Sequence, residues 1–189
     1  MAAEPRSELH ALRDRPFDLL CELERRSKAA LAGASGDDVD VEEWVGIGFR
    51  LADEQFIVAR DAIREVLMVP ALIARVPGAK PWIRGLANVR GHLLPIIDLK
   101  SFLGAGRFGG QRDARVLVMK GVEMSAGLIV DEVFGFRRFL DTERSDEVPQ
   151  TLVHCDEYLE GVFERGLENW PIFSVERLER SEEFQRAAA

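Results

Sequence analysis

From Gly46 onward the chain breaks into short apolar runs, roughly nine or ten of them, set roughly 8–12 residues apart by turn residues. Ile47, Phe49 and Leu51 alternate with Gly48 and Arg50, and a turn at Asp53-Glu54 leads into Phe56-Ile57-Val58. Glu65 to Val69 is a run ended by Pro70, and two more lie between Leu86 and Ile97, punctuated by Gly91 and Pro95. Val116–Met119, Ala126–Val130, Val133–Phe139, Leu159–Glu164 and Trp170–Phe173 complete the series. No helical stretch between them is long enough for a parallel crossover, which disfavours a parallel α/β sheet. The expectation is a mainly β barrel or sandwich with helices only at its edges. These are a turn at Asp61–Arg64, a short helix entered through Asp98, and a last helix capped by Ser174 with Val175 and Leu178 inward.

The texture before Gly46 differs. Asp14 suits an N-cap and Pro16 a first turn, with Phe17, Leu20 and Cys21 on one face, so an N-terminal helix is expected. Gly33 to Asp38 is small and acidic and reads as a linker. The helix either packs back on the strands or tethers a partner. The expected organisation is therefore an N-terminal helix and acidic linker over 1–45, a strand domain over 46–178, and a helix end and tail over 179–189. The glycine-rich stretch 104–113 is expected to split the strands into two similar groups.

Asp and Glu number 33 against 25 Lys and Arg, a net charge of −8. Bulk nucleic-acid binding needs clustered cations and is disfavoured, although a local basic patch is compatible with this balance. Cys21 and Cys155 form no CxxC, so two reduced thiols in a reducing compartment are expected. The first ten residues carry no apolar signal region, and no apolar run reaches the length of a membrane span. The expected localisation is cytoplasmic, without membrane insertion.

Residue patterns for catalysis do not assemble. Gly104, Gly106 and Gly109 satisfy GxGxxG, but a helix precedes and a strand follows, the reverse of the dinucleotide-binding order. His154 and Cys155 would point to opposite faces of an extended segment, and Asp156 and Glu157 oppose thiolate formation. That stretch is expected to be a solvated loop. No GxSxG elbow and no ligand partner for His10 or His92 exists. The sequence makes no case for an enzyme, a metal site or a cofactor.

The most distinctive stretch runs from Gly85 to Leu99, Gly-Leu-Ala-Asn-Val-Arg-Gly-His-Leu-Leu-Pro-Ile-Ile-Asp-Leu. Its glycines and Asn88 suggest a bent strand and a tight hairpin. Arg90 stands among apolar neighbours and must be paired or reach water. Glu65 is the obvious partner. Either the two form a structural ion pair, or Arg90 is presented at a binding groove.

This stretch closely resembles the signature of CheW-like domains, the coupling proteins of bacterial chemotaxis. Other segments fit in order: Phe49 to Val58, Ile63-Arg64-Glu65-Val66, Gly127-Leu128-Ile129-Val130-Asp131-Glu132-Val133, and Tyr158-Leu159-Glu160-Gly161. Trp44 to Arg50 resembles the opening segment of family members from type IV pilus (twitching) systems. Glu164 to Trp170 departs from the family's usual glycine-rich end.

The resemblance implies two intertwined five-stranded β-barrels with short peripheral helices, and a non-enzymatic adaptor. Such adaptors bridge the cytoplasmic tip of a methyl-accepting chemoreceptor and the regulatory domain of a CheA-type histidine kinase. Arg90 and Glu65 would then be the polar pair near a groove, and Asn88 and Gly91 would shape its hairpin. Ile63, Val66, Val130 and Val133 are candidate groove or interface residues, and Phe134-Gly135-Phe136 either offers exposed aromatic anchors, Phe134 first among them, or fills the second barrel. A small-molecule-binding barrel remains the alternative of a different class.

Overall fold

The computed structural model describes residues 43–121 and 125–186, and the expected N-terminal helix and linker lie outside them. The mainly β expectation holds. Strands β1 (Glu43–Leu51), β2 (Glu54–Ala59) and β3 (Ile63–Met68) come first, followed by β4 (Ile83–Val89) and β5 (His92–Asp98). Helix α1 (Leu99–Phe102) precedes β6 (Arg115–Met119), β7 (Gly127–Val130), β8 (Glu132–Leu140) and the two-residue β9 (Arg144–Ser145). Then come β10 (Leu159–Arg165), β11 (Glu168–Phe173), α2 (Val175–Arg180) and α3 (Glu182–Gln185).

These strands form a six-stranded sheet, β8-β1-β2-β11-β10-β9, and a five-stranded sheet, β3-β6-β7-β5-β4. Most neighbours are antiparallel, while β2–β11 and β5–β7 pair parallel. The glycine-rich stretch 104–113 does not separate the two groups, because β5 before it and β6 after it share the five-stranded sheet. The chain changes sheets at the 3-10 turn Arg60–Ala62 and returns at Asp131. Non-local pairing, invisible in local composition, decides this, so the sheets are intertwined through their sequence and not consecutive.

Three apolar clusters explain the side-chain pattern. In β1, Ile47, Phe49 and Leu51 face a core that also receives Leu117 and Met119 of β6 and Leu128 and Val130 of β7. That core is shared by the two sheets. The alternate residues of β6 and β7, Val116, Val118 and Ile129, face a second cluster with Ala87, Leu94 and Ile96. Ile57, Phe139, Phe163, Trp170 and Ile172 fill a third, private to the six-stranded sheet. Strands buried on both faces read as continuous apolar runs, which is why Val116–Met119 shows no polar alternation.

On β1 the second face is emptied rather than filled. A Cβ on Gly46 would collide with the Trp44 ring and Ile57, and one on Gly48 would lie 3.0 Å from Cζ3 of Trp170. The indoles occupy the space that these glycines vacate. Trp170, part of the segment that departs from the family pattern, is thus a core residue.

Buried polar atoms are spent on joints. Asp98 caps α1 by accepting from Ser101 N (3.1 Å) and also accepts from Phe108 N (2.8 Å), pinning the glycine-rich loop. Ser174 caps α2 by accepting from Arg177 N. Ala74 exchanges two 2.8 Å backbone hydrogen bonds with Leu86, drawing the connection between β3 and β4 onto the sheet. A side chain on Gly85 (φ +137°) would strike the Ala74 carbonyl there.

Candidate functional site

The β4–β5 hairpin turns in two residues, Arg90 (φ +51°) and Gly91 (φ +86°), between the paired Val89 and His92. Two positive φ values match the tight turn whose twist suits a hairpin. Asn88 Oδ1 accepts from Gly91 N at 2.9 Å, closing the turn. The Asn-Val-Arg-Gly stretch therefore encodes a rigid tip with an arginine at its apex. A left-handed conformation costs a non-glycine residue roughly 1–2 kcal/mol, so Arg90 carries strain that glycine would not.

That apex reaches the edge strand β3. Nη2 of Arg90 lies 3.1 Å from Oε2 of Glu65, an ion-pair distance, with Arg90 77% and Glu65 18% exposed. No donor among the described residues is aligned on this shielded oxygen for a hydrogen bond. Arg64 Nε stands 3.8 Å from the other oxygen. So exposed a pair contributes little to stability. What it does is present a positively charged tip beside a carboxylate that retains acceptor capacity.

Next to the pair, a cleft of about 350 Å³ opens between β3 and the β1–β8 edge of the other sheet. Ile47 and Ile63 lie along it, Val66 (39% exposed) and Phe136 (65% exposed) are its accessible apolar side chains, and Arg60, Arg64 and Lys120 supply cations. Lys120 is held in place by its backbone N–H, which donates to Ala62 O at 2.8 Å.

The sequence-derived residues distribute unevenly over this surface. Glu65, Val66, Asn88, Arg90 and Gly91 sit at the hairpin and β3 edge. Ile63 is buried at the cleft wall, Val130 is fully buried in the shared core, and Val133 packs against that core. Val130 therefore supports the surface from behind and has no face to offer a partner. Phe134 is half-buried and stands edge-on to Trp170, ring centroids 6.0 Å apart, packed against the private cluster. The accessible aromatic is Phe136. A bulge explains the exchange: Gly48 pairs with Gly135 but Phe49 with Val133, leaving Phe134 as the extra residue. Gly135 (φ +87°) then returns Phe136 to the side of Ile47, its register partner. A glycine between two phenylalanines was the available signal for that bulge.

The His154–Glu157 stretch is not a solvated loop throughout. Cys155 is buried, its backbone N–H donating to Thr151 Oγ1 at 3.1 Å. Burial pushes the thiol up to about 11, with Asp156 adding to the effect. This is an inert packing cysteine.

Comparison with known proteins agrees with this geometry. The CheW-like domain family matches residues 45–183. Protein PilI of Pseudomonas aeruginosa is 38% identical over 169 residues, spanning 89% of this chain and 94% of that protein. Chemotaxis protein CheW of Helicobacter pylori is 29% identical over 160 residues, 85% of this chain and 93% of that one. Among solved structures, the scaffolding protein TtCheW of Thermoanaerobacter tengcongensis superposes with a TM-score of 0.65 at 26% identity, covering 75% of this chain and 96% of that chain. A match that runs through both sheets and includes the hairpin, the β3 glutamate and the Asp131 crossing makes this chain a member of the CheW-like domain family.

Proposed function

We propose that this chain is a coupling protein that links the cytoplasmic tip of a chemoreceptor to the regulatory domain of a CheA-type histidine kinase, and that it does so without chemistry of its own. The observation that carries the reading is Arg90, held at positive φ on a rigid hairpin and set against Glu65 at the mouth of a cleft. The cleft offers apolar walls with charges of both signs at its rim, Arg60, Arg64 and Lys120 beside Asp61 and Glu65, which suits a helical segment with an apolar ridge and polar shoulders. The occupant we assign to it is the receptor's helical hairpin. Binding both partners at once raises the effective concentration of each for the other, so a positional role suffices.

The similarity to PilI across almost the whole of both chains supports a type IV pilus (twitching) pathway. Chemotaxis proteins named CheW are also similar over much of their length, which favours flagellar chemotaxis as the second reading. The proposed location is the cytoplasm, at receptor–kinase assemblies. Among the described residues no helix is long and apolar enough to cross a membrane. A ligand-binding barrel is disfavoured because both private interiors are filled with side chains. The test is a pull-down of the purified protein against a CheA-type kinase from the same genome, with and without a receptor signalling fragment. Capture of the kinase, enhanced by or bridged to the receptor, supports coupling. A folded protein that captures neither overturns it.

A further inference from the structure

A second cleft, of about 260 Å³, lies on the five-stranded sheet and has a different character. Its charged lining is entirely cationic: Arg75, Lys80, Arg84 and Arg107, with Val76 and Ile83 among the apolar walls. Carboxylates outnumber cations by 33 to 25 in this chain, yet none lines the cleft. Among the described residues none of the four cations is in an ion pair, although nine other such pairs form. Like charges gathered without counter-charge oppose folding and point to an external anion.

Three separate segments bring these side chains together, and each is braced. Two successive turns, Ala79 N to Val76 O (3.3 Å) and Ile83 N to Lys80 O (2.9 Å), shape the segment that carries Arg75 and Lys80. Arg84 sits on β4, its guanidinium 5.9 Å from the centroid of Phe108. Arg107 precedes Phe108, whose N–H is fixed to the buried Asp98. The guanidinium groups are thus carried on restrained backbone. Three arginine forks suit the planar, multidentate recognition of phosphoryl oxygens. A cleft of about 260 Å³ has room for a compact anion, with the rest of a larger ligand left outside.

We propose that this cleft binds a compact polyphosphate, the di- or triphosphate group of a nucleotide or inorganic pyrophosphate. Binding there is independent of the Arg90 cleft and of the coupling role.

The test uses the full chain and titrates pyrophosphate, ATP, sulfate and an acidic peptide by calorimetry at matched ionic strength. Saturable binding of pyrophosphate or ATP, at least about tenfold tighter than sulfate, is expected. Pyrophosphate binding with ATP excluded assigns the inorganic ligand, and binding of both assigns the shared phosphoryl group. Arg107→Glu and Lys80→Glu are each expected to weaken binding by about tenfold or more, while Arg112→Glu, on the same loop but outside the cleft, leaves it unchanged. Arg107 and Lys80 are exposed, so circular dichroism should show both variants folded. Affinity no better than for sulfate, tighter binding of the acidic peptide, or indifference to both charge reversals would overturn the proposal.

Discussion

Nζ of Lys100 lies 3.0 and 2.8 Å from the two carboxylate oxygens of Asp131, and this largely buried pair joins the two sheets. Lys100 belongs to α1, which continues from β5 of the five-stranded sheet, and Asp131 stands where the chain crosses to the six-stranded one. The same carboxylate accepts from Ala52 N at 2.7 Å, in the β1–β2 turn where Ala52 itself has φ +55°. Asp131 N donates to Arg50 O at 3.0 Å. One aspartate therefore fixes a crossing, a turn and a helix. That is the physical reason for an aspartate after the apolar run of β7.

Asp131→Ala leaves a largely buried ammonium, its side chain 13% exposed, without its partner and a strained turn without its acceptor. A loss of about 3–5 kcal/mol is expected. Chemical denaturation of the variant measures it. Lys100→Met in the same background is expected to recover part of the loss, because the orphaned charge is gone.

Gly46→Ala places a methyl group against Trp44 and Ile57 in the private core. Overpacking of this kind costs about 1–3 kcal/mol. The denaturation midpoint should fall accordingly, and Trp44→Leu should restore part of it. A Gly46→Ala variant as stable as the parent would contradict the assignment of β1 as a strand buried on both faces.

Cys155 should resist alkylation in the native protein. Its thiol is buried and displaced upward to about 11 by desolvation. Site-resolved mass spectrometry after iodoacetamide at pH 8 is expected to find Cys155 unmodified until denaturant is added. Modification at the rate of a free thiol would show that the segment opens.

Glu143 and Arg165 make a two-pronged pair, at 2.8 and 2.6 Å, with the guanidinium 4.5 Å from the Phe139 centroid. The hydrogen bonds from Arg165, and that from Leu140 N, hold the Glu143 carboxyl down at about 2 from an ordinary 4.5. A lowered folded-state pKa means the contribution is complete above about pH 4.5 and is lost as pH falls through about 2. Glu143→Gln should therefore flatten the stability–pH curve within that window and leave its shape above pH 5 unchanged, as followed by urea unfolding at several pH values.

Most strands were legible because their ends are chemically marked: Asp53-Glu54, Pro70, Gly91 and Asp98 all stand at or near strand boundaries. The Arg90–Glu65 contact was legible too, since each stands beside an apolar run in the sequence, although Arg90 proves to sit in an exposed turn. What escaped was set by tertiary packing. Nothing local in the sequence shows that the space beside Gly46 and Gly48 is taken by the Trp44 and Trp170 rings. Phe134 and Phe136 differ in fate only because of a bulge whose register depends on β1. The role of stretch 104–113 was misread because sheet membership is decided by partners far along the chain. The cationic cleft could not be read locally, since Arg75 and Arg107 meet only after β4, β5 and α1 have folded between them.

The coupling role turns on Arg90, and Arg90→Gly isolates it. Glycine accepts the positive φ without strain, so the hairpin should persist and the fold should be at least as stable, while the charge facing Glu65 disappears. The decisive measurement is receptor-dependent activation of the cognate CheA-type kinase, reconstituted with the parent chain or with Arg90→Gly after circular dichroism and denaturation confirm folding. The account predicts a folded variant that loses most of the activation. A folded Arg90→Gly protein that supports full receptor-dependent activation would contradict it.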